Sequence, residues 1–167
     1  EKVKEIYAGY QVSLALTEKG KLYNWGNDYL LEIRIPKEIQ GNIEKFTANT
    51  NLAMVVTTDG MVVPLTKKSS VMTRIPEEIQ GHVVELAMTD ESAAAVTEDG
   101  AVHVWGNNIK GTMDVPENLG KVSKIVAGRF HYTVLLEDGS VVAWGDNTFN
   151  QEEVPEITEE IADIQAG

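Results

Sequence analysis

The sequence predicts an all-β protein built as a β-propeller or partial propeller of about four three-stranded antiparallel blades, with repeats of 39–40 residues. Glycines, prolines and a tryptophan position recur together along the chain. Short segments alternate between apolar and polar residues, which is typical of strands. No segment has the apolar spacing of a long amphipathic helix.

The repeat is marked by three sets of residues that recur at steps of 40, 40 and 39. It divides a single domain, residues 1–167, into repeats at about 1–40, 41–80, 81–119 and 120–158, and residues 159–167 are predicted to be the first strand of a fifth repeat. The step of 39 is one residue shorter than the other two. The missing residue falls in a turn, where a deletion is best tolerated. The markers are Gly20, Gly60, Gly100 and Gly139; Pro36, Pro76, Pro116 and Pro155; and Trp25, Leu65, Trp105 and Trp144.

Each repeat contains three predicted strands. The first strands are VKEIYA, IEKFTA, VVELAM and VSKIVA, and IADIQA near the end of the chain would be a thirteenth strand. The second strands are SLALT, AMVVT, AAAVT and TVLLE, and the third are KLYNW, MVVPL, AVHVW and SVVAW. The turns EKG, TDG, EDG and EDG join them, because glycine adopts positive φ without a Cβ clash. The segments PKEIQG and PEEIQG could each form one helical turn.

A three-stranded sheet cannot bury both of its faces alone, so the repeats are expected to stack face to face. Trp25, Trp105 and Trp144 are predicted to pack between neighbouring sheets. The second repeat has leucine in place of this tryptophan and Pro64 in its third strand. Proline is tolerated there if the strand lies at the edge of its sheet, which pairing in chain order provides.

The composition argues against several classes of partner. Lys and Arg total 14 against 26 for Asp and Glu, and the net charge of -12 with scattered basic residues makes nucleic acid an unexpected partner. The lack of cysteine excludes disulfides and thiolate metal sites and leaves the compartment open, either bacterial cytoplasmic or exported. Membrane insertion is not expected, since no apolar run approaches roughly 18 residues.

No arrangement of residues predicts catalysis, a cofactor or a metal site. His82, His103 and His131 lie in three different phases of the repeat, outside any HxxxH or HExxH spacing. No serine has a GxSxG context, and the glycines serve turns rather than a phosphate loop. His131 is not histidine in the other repeats, so we predict that it packs at the start of its strand. The chain is expected not to be an enzyme.

The segment AGRFHYTVLLEDGSVVAWGDNTFNQEEVP, residues 127–155, resembles the repeat of the regulator of chromosome condensation family. Ala-Gly, the EDG turn, Trp-Gly-Asp-Asn and Val-Pro carry the resemblance. The short period and the Val-Pro ending are most similar to the bacterial branch that includes a propeller-type β-lactamase inhibitor. The resemblance implies a seven-bladed binding scaffold that recognises proteins, without identifying the partner.

This chain departs from the family in having four repeats, and EKVKEIYAG and EEIADIQAG at its two ends are in the same phase. Two alternatives follow. The chain is either a segment of a longer array or half of a ring closed by a homodimer with eight blades. In the ring, the last strand of each chain would complete the first blade of the other.

Antiparallel pairing places the loops after the first and third strands at one end of each sheet and the hairpin turns at the other. The turn end is predicted to be a solvated acidic surface. The loop end combines aromatic, amide and charged side chains, which suit protein recognition. Its candidate residues are Tyr10, Gln11, Asp28, Tyr29, Asn51, Asp90, Glu91, Asn108, Arg129, Phe130, Asp146 and Phe149, with Tyr10, Tyr29, Phe130 and Phe149 as anchors.

We therefore predict a non-catalytic protein-interaction module that binds a protein partner through this loop end. One alternative is an inhibitor of a β-lactam-processing or cell-wall enzyme. The other is a structural spacer within a larger bacterial surface protein.

Overall fold

The structure, a computed structural model, describes residues 1–9, 11–27, 29 and 31–167. These residues form four three-stranded antiparallel sheets, each with its strands paired in chain order. The predicted fold class is confirmed. Sheet 1 contains β1 (Val3–Ala8), β2 (Val12–Thr17) and β3 (Leu22–Gly26); sheet 2 contains β4 (Ile43–Ala48), β5 (Ala53–Thr57) and β6 (Val62–Pro64); sheet 3 contains β7 (Val83–Met88), β8 (Ser92–Thr97) and β9 (Val102–Gly106); sheet 4 contains β10 (Val122–Ala127), β11 (His131–Leu136) and β12 (Val141–Gly145).

Among the described residues the helical content is limited to two single turns. Lys37–Ile39 and Glu77–Ile79 form 3-10 helices, within the two segments where a helical turn is predicted. None of the helices in the described part of the chain reaches the length and apolarity of a membrane span.

The predicted thirteenth strand is wrong as secondary structure, because residues 159–167 form no strand. Asp163 nevertheless reaches β10, where its carboxylate forms an ion pair with Lys124. A strand requires a hydrogen-bonded neighbour, and residues 159–167 belong to none of the four sheets.

The sheets stack face to face and bury an apolar core between each neighbouring pair. Between sheets 1 and 2, Leu14 and Leu16 of β2 pack with Phe46 and Val55 of sheet 2. The period-two alternation of each strand sends successive side chains into different cores. In β5, for example, Val55 belongs to the core with sheet 1 and Met54 to the core with sheet 3.

The tryptophan position packs backwards onto the preceding repeat. Trp105 and Trp144 are only 6% and 4% exposed. Their indole Nε1 atoms donate to the carbonyl oxygens of Met72 at 2.8 Å and Thr112 at 3.0 Å. Trp25, in the first of the four sheets, is 55% exposed. The packing prediction is therefore correct for two tryptophans and wrong for Trp25.

The turn glycines of the first three repeats each contact the start of the following repeat. The carbonyl oxygen of Gly60 accepts hydrogen bonds from the amides of Gly81 at 3.1 Å and Val83 at 3.2 Å. Gly20 and Gly100 make equivalent contacts with the following repeats. Gly60 has a φ of 75°, and a Cβ there would lie 2.8 Å from the Gly81 carbonyl carbon. The turn glycine thus provides both the backbone conformation and the close approach between repeats.

The third strand of each sheet lies at an edge, as Pro64 requires in β6. Two glutamines cover this edge. The Gln40 amide accepts from the Leu22 amide at 3.0 Å and donates to the Leu22 carbonyl at 2.8 Å. Gln80 makes the same pair of hydrogen bonds with Val62. These contacts satisfy backbone groups that an open edge strand would expose.

The first strands line a central groove, where they carry charges of alternating sign. Each has a β-bulge just before a charged residue, at Glu5, Lys45, Glu85 and Lys124. Lys45 forms an ion pair with Glu85 of the next sheet. Burial raises the pKa of Glu5, and the charge of Lys45 opposes this shift. Charges of opposite sign therefore join neighbouring first strands.

Replacing Trp144 and Trp25 with alanine tests the packing of this position. We expect Trp144→Ala to lower the free energy of unfolding by about 3–5 kcal/mol, because it opens a cavity and leaves the Thr112 carbonyl without its donor. Trp25→Ala should cost about 1 kcal/mol or less, since its side chain is half exposed. Urea unfolding followed by circular dichroism measures both values. Equal losses of unfolding free energy in the two variants would contradict the burial of Trp144 and the exposure of Trp25.

The turn glycines allow a second matched comparison. Gly139 has a φ of 86° and nothing within 4 Å of an added Cβ, whereas Gly60 contacts the next repeat. Gly139→Ala should therefore cost about 1–2 kcal/mol of folding free energy from backbone strain alone. Gly60→Ala should cost about 1–3 kcal/mol more, because the next repeat must move. A smaller loss for Gly60→Ala in thermal unfolding would show that the two repeats are not locked there.

Candidate protein-interaction face

The loops after the first and third strands lie at the same end of each sheet. In sheet 1 the Asn27 amide donates to the Gln11 carbonyl at 2.8 Å, and in sheet 4 the Asp146 amide donates to the Phe130 carbonyl at 2.8 Å. We call the surface that these loops form the loop face. Among the described residues it contains 9, 11, 27, 29, 31, 49–51, 66–71, 89–91, 107–111, 128–130 and 146–151.

Hydrogen bonds also connect the loop face between sheets. The side-chain amide of Asn49 donates to the Thr89 carbonyl at 2.7 Å, which joins sheets 2 and 3. Asp90 and Arg129 join sheets 3 and 4 twice. The Asp90 amide donates to the Arg129 carbonyl at 3.0 Å, and the Arg129 Nε donates to the Asp90 carboxylate at 2.9 Å. The loops are therefore held relative to one another by the sheets and by direct contacts.

Two of the four predicted aromatic anchors point into solvent. Tyr29 is 78% exposed and Phe149 is 84% exposed. Tyr10 and Asp28 were also predicted to be contact residues, but they lie outside the described residues. The other predicted contact residues that are exposed are Gln11, Asn51, Glu91, Asn108 and Arg129.

Phe130 is only half-buried, and it lies under the side chain of Arg129. The guanidinium carbon of Arg129 is 5.0 Å from the centroid of the Phe130 ring, which is a cation–π geometry. Since the same guanidinium also binds Asp90, Arg129 holds the ring and a neighbouring loop together. Phe130 therefore presents one edge of a fixed cluster.

Two of the predicted contact residues shape the loops from within. The Asn108 side chain accepts from the Met113 amide at 3.0 Å and donates to Asp114 at 2.9 Å. Asp146 accepts from the hydroxyl of Thr148, from the Thr148 amide at 3.1 Å and from Lys110 at 3.4 Å. The Thr148 hydroxyl, with smaller contributions from the Thr148 amide and the charge of Lys110, lowers the pKa of Asp146.

A buried hydroxyl network beneath the loop face is not predicted from the sequence. Ser92 lies 2.8 Å from the Thr89 hydroxyl and 2.9 Å from the hydroxyl of Tyr132. All three are buried, and burial raises the pKa of Tyr132 to about 12, so this phenol stays neutral at physiological pH. The only sequence signal is one serine at the start of an alanine-rich strand, SAAAVT.

His131 packs against Gly128, as its predicted structural role requires. A Cβ at Gly128 would lie 2.1 Å from the imidazole Cε1 atom. Burial lowers the pKa of His131, and the charge of Asp146 partly opposes this shift. In the described part of the chain, no group of His, Asp and Glu side chains is arranged to hold a metal ion.

Sheet 4, which carries the cluster of Arg129 and Phe130, is similar in sequence to a known repeat. Residues 122–151 match the sequence profile of the Regulator of chromosome condensation (RCC1) repeat. This segment of the fourth repeat is similar to the RCC1 repeat. Among curated proteins no sequence matches this chain. The predicted similarity to the bacterial short-repeat branch stays a prediction.

Solved structures extend the likeness of fold to nearly the whole chain. The ectodomain of the Physcomitrella patens receptor kinase CR4 is 16% identical with a TM-score of 0.75, over 98% of this chain and 48% of that chain. Human WBSCR16 is 18% identical with a TM-score of 0.73, and the match covers 99% of this chain and 56% of that chain. Yeast RCC1 (Prp20), in complex with Kap60, is 22% identical with a TM-score of 0.69, and the match covers 96% of this chain and 47% of that chain.

These identities show a shared fold alone. The chain spans about half the length of the receptor kinase ectodomains and of human WBSCR16.

Removing the Thr148 hydroxyl tests its hydrogen bond to Asp146 in the loop after β12. Thr148→Ala should raise the pKa of Asp146 toward its ordinary value of 3.8, because the strongest donor to the carboxylate is lost. The depressed pKa stabilises the fold above the unfolded-state pKa, and this contribution disappears as the pH falls through the folded-state pKa. The variant should therefore lose less stability on acidification.

Carboxyl carbon NMR titration measures this pKa. Asp99, whose pKa is lowered by the Thr97 hydroxyl, provides an internal control that should not change. If the pKa values of both Asp146 and Asp99 stayed unchanged, the hydrogen bond from the Thr148 hydroxyl to Asp146 would be contradicted.

Proposed function

We propose that this chain is a non-catalytic protein-interaction module whose loop face binds a protein partner. The observation that carries the proposal is the exposure of Tyr29 and Phe149 on loops that the sheets hold in place. Large aromatic side chains gain free energy when a partner covers them, and they are enriched among the residues that dominate binding.

Side chains of the same loops hold the backbone amides of Tyr29 and Phe149. The Tyr29 amide donates to the Asn27 side chain at 3.1 Å, and the Phe149 amide donates to the Gln151 side chain at 2.7 Å. A surface that is already ordered loses little conformational entropy on association. This favours recognition of a folded partner with a complementary surface.

The charges of the loop face point to the same class of ligand. Arg129 and Lys110 are exposed cations there, and each is already paired with an aspartate. With a net charge of -12, the chain has little attraction for a nucleic acid backbone. The mixture of aromatic, amide and paired charged groups suits a protein surface instead.

The RCC1 repeat and the solved structures support the same function. Yeast RCC1 (Prp20) has been solved bound to Kap60, which shows that a propeller of this fold engages a protein. The RCC1 profile covers the fourth sheet, which contributes Arg129, Phe130 and Phe149 to the loop face.

Capture of partners by the immobilised chain tests the loop face. Replacing Tyr29, Arg129 and Phe149 together with alanine should abolish capture, because each truncation of a binding hot spot costs about 2 kcal/mol, or roughly 30-fold in affinity. Partners are identified by mass spectrometry. The affinity of each purified partner is then measured by calorimetry for every single variant.

Met61→Ala is the matched control, since Met61 is an exposed apolar side chain next to a hairpin turn, at the opposite end of sheet 2. It should leave capture unchanged. If the triple variant retained every partner of the unmodified chain, the loop face would not be the binding surface.

A further inference from the structure

The second repeat brings positive charge to the loop face of a chain that is acidic overall. Its loop after β6 reads TKKSSVMTR, residues 66–74, where the fourth repeat reads GDNTFNQEE, residues 145–153. Between Glu44 and Glu77 the sequence has one carboxylate side chain, Asp59, which lies in the hairpin turn at the opposite end of sheet 2. The part of the loop face that repeat 2 supplies therefore carries cations and no acid.

Three exposed cations around this loop have no carboxylate partner. Lys67 and Arg74 belong to the loop, and Arg34 belongs to the segment that follows sheet 1. Within the part of the chain that the structure describes, none of the three takes part in an ion pair. The neighbouring Lys68, by contrast, pairs with Glu32 at 3.1 Å. We call Arg34, Lys67 and Arg74 the basic patch.

Hydrogen bonds to sheets 2 and 3 position the backbone of the basic patch. The Arg34 amide donates to the carbonyl of Leu65, the residue after β6, at 2.7 Å, so Arg34 lies beside the start of the loop. The carbonyl of Met72, two residues before Arg74, accepts from the Trp105 indole of sheet 3 at 2.8 Å. The patch is therefore held at both ends by buried parts of the fold.

The cations elsewhere on the loop face are neutralised within the chain. Lys110 pairs with Asp146 at 3.4 Å, and Arg129 pairs with Asp90 at 2.9 Å. The positions of Lys67 and Arg74 are neutral or acidic in the third and fourth repeats, where they are occupied by Asn107, Asp114, Asp146 and Glu153. The unpaired positive charge is thus confined to repeat 2 and its border with repeat 1.

A group of cations without counter-charges favours a negatively charged ligand. Opposite charges attract each other across a surface, and the arginine guanidinium also matches a carboxylate with two parallel hydrogen bonds. With a net charge of -12, the rest of the chain repels a long polyanion such as nucleic acid. A short acidic segment of a protein reaches the patch without lying along that acidic surface.

Apolar groups beside the basic patch extend the match to a protein segment. Val71, in the same loop, is 37% exposed. Glu32, which pairs with Lys68, is three residues after Tyr29, the 78% exposed aromatic of the neighbouring loop. A partner segment that combines acidic and apolar residues would therefore find groups of both kinds here.

We propose that the basic patch binds an acidic segment of the protein partner, with carboxylates of the partner on Arg34, Lys67 and Arg74. This inference rests on the proposed function, because it assigns a charge class to the partner of the same face. Opposite charges at such a patch speed association and fix the orientation of the partner. The repeat that has lost its Trp-Gly pair thus contributes specificity through its loop.

Titration of the isotope-labelled chain with tetraglutamate, followed by NMR of the backbone amides, tests the basic patch. We expect the largest shifts in residues 66–74 and at Arg34. Binding should weaken as the ionic strength rises from about 20 mM to about 0.3 M, since salt screens exposed charges. Replacing Lys67 and Arg74 together with glutamine should raise the dissociation constant about fivefold or more, because two exposed charge pairs are lost.

The double variant with Lys19→Gln and Lys37→Gln is the matched control. Both lysines are exposed, with Lys19 in the hairpin turn of sheet 1 and Lys37 in the first 3-10 helix. Each double variant removes two positive charges, so the two variants have the same net charge. The control should change the dissociation constant by less than about twofold, because its charges are distant from the patch. Circular dichroism checks that both variants are folded.

The outcomes separate the basic patch from the loop face as a whole. Tyr29→Ala should bind tetraglutamate like the unmodified chain, even where it loses partner capture. Absence of tetraglutamate binding at low salt, or equal weakening in the two double variants, would overturn the basic patch and leave the loop face standing. Tighter binding of a thymidine tetranucleotide than of tetraglutamate would show that the patch prefers phosphates to an acidic protein segment, and would also overturn the proposal.

Discussion

The burial of apolar faces between neighbouring sheets is the constraint on which the rest of the structure depends. Each sheet has only three strands and apolar side chains on both faces, so no sheet can exclude water without a neighbour. The turn glycines and the tryptophan indoles join one repeat to the next. Stability in such an array arises from nearest-neighbour contacts, and its two ends are the weakest parts.

The sequence predicts the strands, turns and edges of this fold because their signals are local. Alternating apolar residues and turn glycines act within a few positions, and Pro64 requires an edge strand wherever its sheet lies. Burial is different, since it depends on what is next to a residue. Trp25 has the same local sequence signal as Trp144, yet Trp25 is 55% exposed while Trp144 is buried against the preceding repeat. The segment 161–166 has a strand pattern but belongs to none of the four sheets.

The loop face could be predicted in outline but not in its internal contacts. Loop composition and antiparallel geometry place Tyr29 and Phe149 in solvent at one end of the sheets. They do not reveal that Asn108 and Asp146 bind their own loops, or that Arg129 stacks on Phe130. The pairing of the charges on Glu5, Lys45, Glu85 and Lys124 is not visible in the sequence either, because residues about 40 positions apart become neighbours only when the repeats stack.

The contacts at the turn glycines have a consequence for how this fold tolerates variation. At the hairpin-turn end of the sheets, backbone amides and carbonyls form the hydrogen bonds between repeats. These bonds therefore require glycine in the turn and few other particular residues. The opposite rim can therefore exchange its exposed side chains while the stack stays intact. A single scaffold with this division can acquire new binding specificities through changes confined to one end.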